Sequence, residues 1–125
     1  MSVLVDSSVW IAYFRGHAEA NPLDLLLDQN RVAVNELILA EIIPPLEARR
    51  QHKLITLLRH VKCLPLVIDW EGIIRMQVAC LRRGAQHVGI PDLIIAQQAV
   101  QCQLSLYSLD KHFRLIGRRL SITLY

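Results

Sequence analysis

At 125 residues the chain can bury one hydrophobic core and has no room for a second, so a single domain over 1–125 is expected. Hydrophobic residues at 53% and charged residues at 20% describe a globular chain somewhat rich in apolar surface, and no apolar run approaches the ~18 residues that cross a bilayer. The net charge of +3 decides little, but setting four of the 11 acids aside as a site leaves seven against 14 Lys and Arg, an acidic hole in a basic surface.

Ser2 to Val5 is a short apolar run of the kind that forms a buried parallel strand, ending at Asp6. That acid arrives too early for a signal sequence, so a soluble, cytoplasmic chain with no membrane contact is expected. Ser7 or Ser8 is expected to cap a helix through Trp10, Ile11, Tyr13 and Phe14 to Gly16, and Asn21-Pro22 to open a second, with Leu23, Leu26 and Leu27 on one face. A strand Val32 to Val34 follows, then a helix capped by Asn35 that carries Glu41 beside Leu37 and Ile38. Pro44-Pro45 should interrupt it and start the next helix, Leu46 to about His60.

Leu64 to Ile68 reads as another strand, with Asp69 capping a helix from Trp70 to Arg83 that Gly84 ends. Pro91 starts a helix through Gln103, Leu104 to Ser108 forms a strand, Lys111-His112-Phe113 a turn, and Ile122 to Leu124 a last strand. Alternating strands and helices imply an α/β fold, a parallel sheet covered on both faces, with its ligand site where strand order reverses. Cys63, Cys80 and Cys102 show neither disulfide nor zinc spacing and read as small buried hydrophobes.

Asp6 and Asp110 each follow a strand, where an acid either caps the next helix or faces the ligand crevice. Asp92 lies in a first helical turn, where the dipole favours an anion whatever its use. Glu41 has neither excuse: an acid bordering Leu37 and Ile38 in mid-helix wants a cation. Such acids brought together repel unless a divalent ion neutralises them, and all-oxygen ligation selects Mg²⁺ or Mn²⁺ over zinc. The matching chemistry is phosphodiester hydrolysis.

The stretch Val3-Leu4-Val5-Asp6-Ser7-Ser8-Val9-Trp10-Ile11 resembles the opening of PIN-domain proteins, and more closely of the VapC-type toxins of toxin-antitoxin pairs. Leu39-Ala40-Glu41-Ile42, Gly89-Ile90-Pro91-Asp92-Leu93-Ile94-Ile95-Ala96 and Ser108-Leu109-Asp110-Lys111-His112-Phe113 are similar to its later acidic motifs, in order. The resemblance implies a three-layer α/β/α sandwich with a central parallel sheet and a Mg²⁺- or Mn²⁺-dependent endoribonuclease. Asp6, Glu41, Asp92 and Asp110 become its metal-binding and catalytic acids, and Ser8 and Ser108 supporting hydroxyls that bond carboxylates or a water. Position 112 departs from the pattern, holding histidine where many members carry another acid; a loop histidine without a role is expected.

The resemblance also implies an RNA substrate, a homodimer and a cognate antitoxin protein lying across the early helices. Trp10, Ile11, Tyr13 and Phe14 with the Leu23, Leu26 and Leu27 helix would line that groove, although core packing accounts for at least half of them. Arg15, Arg49, Arg50, Lys53, Arg82, Arg83 and Lys111 are candidates for RNA backbone contacts. The rival readings are a HAD-type phosphatase, which needs an acid where Ser8 stands, a phosphoacceptor receiver domain, and a module that binds RNA or protein without cutting.

Overall fold

Three residues of β-branched and leucine side chains, Val3–Val5, form the central strand β1, buried on both faces. The computed structural model of the chain describes residues 1–85, 87–120 and 123–125. Helix α1 (Ser7–Phe14) leaves β1 at once, capped by Asp6 rather than by Ser7 or Ser8, and a 3-10 turn (Ala18–Ala20) runs into α2 (Pro22–Asp28). Asn21 makes no side-chain cap there, because the preceding turn already holds it in a helical conformation. Strand β2 (Val32–Val34) and helix α3 (Glu36–Ala48) follow, with the Asn35 side chain accepting the Ile38 N–H at 2.8 Å.

The Pro44-Pro45 pair does not end α3. Two prolines remove two N–H donors from the helical ladder, yet the chain stays helical to Ala48. The break comes at Arg50, whose φ of 55° no helix tolerates, and α4 (His52–His60) starts after it.

Strand β3 is only Lys62–Cys63, and Leu64 to Ile68 is not a strand. Glutamine side chains of the later helix α6 (Ile90–Gln101) satisfy its carbonyls instead. Gln98 Nε2 donates to Leu64 O and Pro65 O, and Gln101 Nε2 donates to Val67 O. Gln97 both accepts from the Asp69 N–H and donates to the Asp69 carbonyl. Asp69 then caps α5 (Trp70–Arg82) through the Gly72 N–H. Glycine at 72 leaves room for these side chains: a Cβ there would lie 2.8 Å from both Asp69 Oδ2 and Gln97 Nε2, and one or both would have to shift.

Strand β4 (Ser105–Tyr107) leads to α7 (His112–Leu120), a helix where only a turn was expected. Phe113 and Ile116 are its buried anchors, one turn apart. Of the expected last strand, Ile122 lies outside the described residues and Leu124 makes a single parallel bridge to Leu106.

All pairings are parallel, in the order β3-β2-β1-β4. Helix α1 packs on α3 and α3 on α4, while α5 packs on α6 and α6 on α7, so the sheet is flanked by helices as an α/β/α sandwich. One core joins β1, β2, α1, α3 and α6, and Trp10, Leu23 and Leu26 are wholly inside it, not on a groove wall. Of the cysteines only Cys80 is buried; Cys63 sits on the edge strand and Cys102 past the end of α6, both exposed. Among the described residues no helix is long and apolar enough to cross a membrane.

The chain runs from β1 outward to β2 and β3, then returns to the other side of β1 as β4. The strand order therefore reverses between β1 and β4, and their C-terminal ends mark the position of the ligand crevice in such a sheet.

Candidate active site

Asp6 ends β1 at this crevice, 4% exposed, and its two oxygens are used unequally. Oδ2 accepts from Ser8 Oγ at 2.8 Å, Ser108 Oγ at 2.9 Å and, more weakly, the Ser8 N–H at 3.4 Å. Oδ1 has only a marginal contact with Ser7 Oγ at 3.5 Å and stays available. The two hydroxyls lie 3.2 Å apart across the strand gap with their protons directed to Asp6, while Ser8 Oγ accepts the Leu109 N–H and Ser108 Oγ accepts the Asp110 N–H. Ser8 and Ser108 thus tie the end of β1 to the end of β4 while orienting one carboxylate.

Asp110 caps the first turn of α7, its Oδ1 accepting the His112 N–H at 2.9 Å. Asp92 stands in the first turn of α6, where the Gly89 backbone donates toward it. The capping role open to each strand-end acid is therefore real, and it leaves one oxygen or more of each free. Partial burial pushes the Asp92 carboxyl up, as do the charges of Asp110 and then Asp6, against smaller downward pulls from His112 and the Gly89 hydrogen bond.

Glu41 is more exposed than its spacing implied, because Leu37, one turn before it, is itself only partly buried. Its carboxyl is nonetheless pushed up, first by partial desolvation and then by the negative charges of Asp6 and Asp92. All four acids thus fall within one electrostatic neighbourhood: Glu41 responds to Asp6 and Asp92, and Asp92 to Asp110 and Asp6.

The loop expected around His112 is not there. The histidine opens α7, and its Nδ1 lies 3.4 Å from Asp110 Oδ1 and 3.6 Å from Asp92 Oδ2. Asp92, Asp110 and His112 each offer one ligand atom, all within 4.8 Å of one another, so this donor set fits a metal ion. A helical reading of Phe113 and Ile116 would have exposed the placement of His112 in the sequence.

Beside Glu41 a groove of about 300 Å³ runs between α1, α3 and the start of α4. Ile11, Phe14 and Leu54 give it apolar walls, and Arg15 and Arg49 bring two of the seven candidate cations to it. Of the four acids Glu41 lines this groove, and Asp6, Asp92 and Asp110 do not.

Both Glu41 and Asp92 ionise less readily here than in the unfolded chain, where carboxyls titrate near ~4. The folded state therefore holds more protons above that range, and the contribution of these two groups to stability falls as pH rises through it. A bound dication reverses the repulsion only where the acids are ionised. Mn²⁺ should accordingly raise the melting temperature at about pH 7 and do so much less at about pH 4.5; equal gains at both would disconnect the ion from these acids.

A family model of the PIN domain matches residues 3–119. Three solved structures are similar in fold. The crystal structure of VapBC2 from Rickettsia felis bound to a DNA fragment from its promoter matches with a TM-score of 0.78 at 16% identity, covering 100% of this chain and 98% of that one. FitAcB from Neisseria gonorrhoeae matches at 0.68 with 17% identity, covering 98% and 96%, and a toxin-antitoxin complex from Klebsiella pneumoniae at 0.60 with 20%, covering 90% of each. No curated protein matches the chain.

Proposed function

The chain belongs to the PIN domain family, and from that premise we propose that it is a metal-dependent endoribonuclease, the toxin of a VapC-type toxin-antitoxin pair. Toxins of that family are generally nucleases. The reading rests above all on the gathering of acids at the ends of β1 and β4, where Asp92 and Asp110 come within ligand distance of one another and the charges of Asp110 and Asp6 help hold the Asp92 carboxyl up, a repulsion that a divalent cation relieves. Asp6, Asp92 and Asp110, with Glu41 at the rim, are the residues that would hold Mg²⁺ or Mn²⁺. Bound there, the ion supplies charge neutralisation for a scissile phosphate and a more acidic water for in-line attack.

The chain's own residues do the rest. Ser8 and Ser108 hold Asp6 in one orientation through Oδ2, which leaves Oδ1 as the oxygen it can offer to an ion. Glu41, the most open of the four to solvent, takes up the proton of the attacking water at its carboxylate, a role suited to a group whose affinity for protons is already raised. Arg15 and Arg49 bind the RNA backbone along the groove beside it. Ser8 stands where a HAD-type phosphatase would need a second acid, and its bond to Asp6 favours the nuclease instead.

Two further features support partners. The groove walls Ile11, Phe14 and Leu54 suit an apolar segment of an antitoxin, and the similar fold from Klebsiella pneumoniae belongs to a toxin-antitoxin complex. On α5, Trp70, Ile74, Val78 and Leu81 recur at helical spacing yet are all exposed, a stripe that a second copy of the chain would cover in a homodimer.

Inhibitor-free protein incubated with structured RNA should cut it in Mn²⁺ or Mg²⁺, stop cutting in excess chelator, and bind it less tightly as salt rises. RNA retained without metal-dependent cleavage would convert the reading to a non-catalytic binding module.

A further inference from the structure

Among the described residues, His112 presents a polar atom that the fold leaves without a partner. Its Nδ1 is sealed from solvent and makes no hydrogen bond. The nearest acceptors, Asp110 Oδ1 at 3.4 Å and Asp92 Oδ2 at 3.6 Å, are near enough to pair with a charged imidazole but are not placed to take a hydrogen bond from it. A buried ring nitrogen in that state is costly unless something else occupies the space between it and the two carboxylates.

The ring is not there by default. The backbone N–H of His112 is held by Asp110 Oδ1 at 2.9 Å, and the next residue, Phe113, is locked into the core at 1% exposure. Anchored on both sides, the imidazole turns Nδ1 inward beside Asp92 and Asp110, and each of the three residues offers a ligand atom within 4.8 Å of the others. Two carboxylate oxygens and one imidazole nitrogen form a mixed donor set. Mg²⁺ takes oxygen almost exclusively and keeps much of its water, whereas first-row transition ions gain from an imidazole ligand.

We propose that His112 Nδ1 is a direct metal ligand of this site and that it shifts the site's preference from Mg²⁺ toward Mn²⁺. The proposal rests on the metal-dependent reading above and adds to it a nitrogen ligand that distinguishes one cation from another. Imidazole binds the ion as a neutral donor, so it contributes selectivity without adding to the negative charge that Asp6, Glu41, Asp92 and Asp110 already gather.

The test uses the full-length, inhibitor-free chain and Mn²⁺ alone, with Mg²⁺ as competitor. Pulsed electron paramagnetic resonance of bound Mn²⁺ should show coupling to a ¹⁴N nucleus in the parent protein and lose it in His112→Asp. The ratio of Mn²⁺ to Mg²⁺ affinity should fall about tenfold or more in that variant, in line with loss of one preferred ligand. His112→Asn, which keeps a side chain of similar reach and places an amide oxygen near the Nδ1 position, should behave like His112→Asp and serves if the acid disturbs folding. Mn²⁺ bound through oxygen alone in the parent, or nitrogen coupling that persists in both variants, would overturn the proposal while leaving the nuclease reading intact. Failure to bind Mn²⁺ together with failure to cut RNA would overturn both.

Discussion

Replacing Asp6 by asparagine should lower RNA cleavage by on the order of 10³-fold while leaving the fold in place, a loss that corresponds to roughly 4 kcal/mol of transition-state stabilisation. Asparagine has nearly the same shape, and its amide oxygen can still accept the hydrogen bonds that Ser8 and Ser108 give to Oδ2. What disappears is the negative charge, and with it a carboxylate oxygen that Ser8 and Ser108 leave unused. The same change removes one source of repulsion felt by Glu41 and Asp92. Without metal, the variant should therefore melt no lower than the parent, in keeping with the tendency of active sites to trade stability for function. Cleavage rates at saturating Mn²⁺, paired with thermal melting, check both halves. Near-parental cutting would withdraw Asp6 from the catalytic set.

The largest effect on stability should come from a residue with no part in the chemistry. Gln98, 2% exposed on α6, accepts from Asn35 Nδ2 at 2.8 Å and donates to the carbonyls of Leu64 and Pro65. Gln98→Leu fills much the same space but strands an amide hydrogen and two carbonyl oxygens, each of which costs about 1–3 kcal/mol when buried unpaired. Because these terms overlap, a total near ~3 kcal/mol is expected, or a drop in melting temperature of about 10 °C for a chain of this size. Gln101→Ala removes one exposed bond, to Val67 O, and should cost under ~1 kcal/mol. If both variants melted alike, Gln98 would not be the centre of this network. The effect also reaches the site, since Asn35 caps α3, which carries Glu41, and Gln98 belongs to α6, which carries Asp92.

These glutamines explain where reading the chain alone went astray. Leu64 to Ile68 is apolar and β-branched enough for a strand, yet a strand needs a neighbouring backbone to pair with, and Pro65 has no N–H to offer. Its carbonyls were instead taken by side chains some 30 residues later in the sequence, a pairing that no local pattern records. The strand Val3–Val5 and the cap at Asn35 were legible because both depend on adjacent residues. At Pro44-Pro45 a local rule was overridden: burial of Ile42 and Leu46 on either side of the pair holds the helix together despite the missing donors.

For the acids the sequence was informative about identity and less so about environment. Asp6 and Asp110 lie at strand ends as their flanking residues implied, but the burial expected for Glu41 is not there, since Leu37 only grazes the core. His112 was underestimated for want of α7. Once Phe113 and Ile116 are seen as two anchors of one helix, the histidine before them can no longer drift in a loop.

The order β3-β2-β1-β4 has a consequence in time as well as in space. Strand β1 precedes its partner β4 by about a hundred residues, and Ser108, Asp110 and His112 come only with that later partner. A nascent chain that has folded everything before β4 still has Asp6 without its second serine and Asp92 without its neighbours. For a polypeptide read as a cutter of RNA, made on a machine built of RNA, the later strand works as a safety catch: the blade is assembled only once β4 has joined β1.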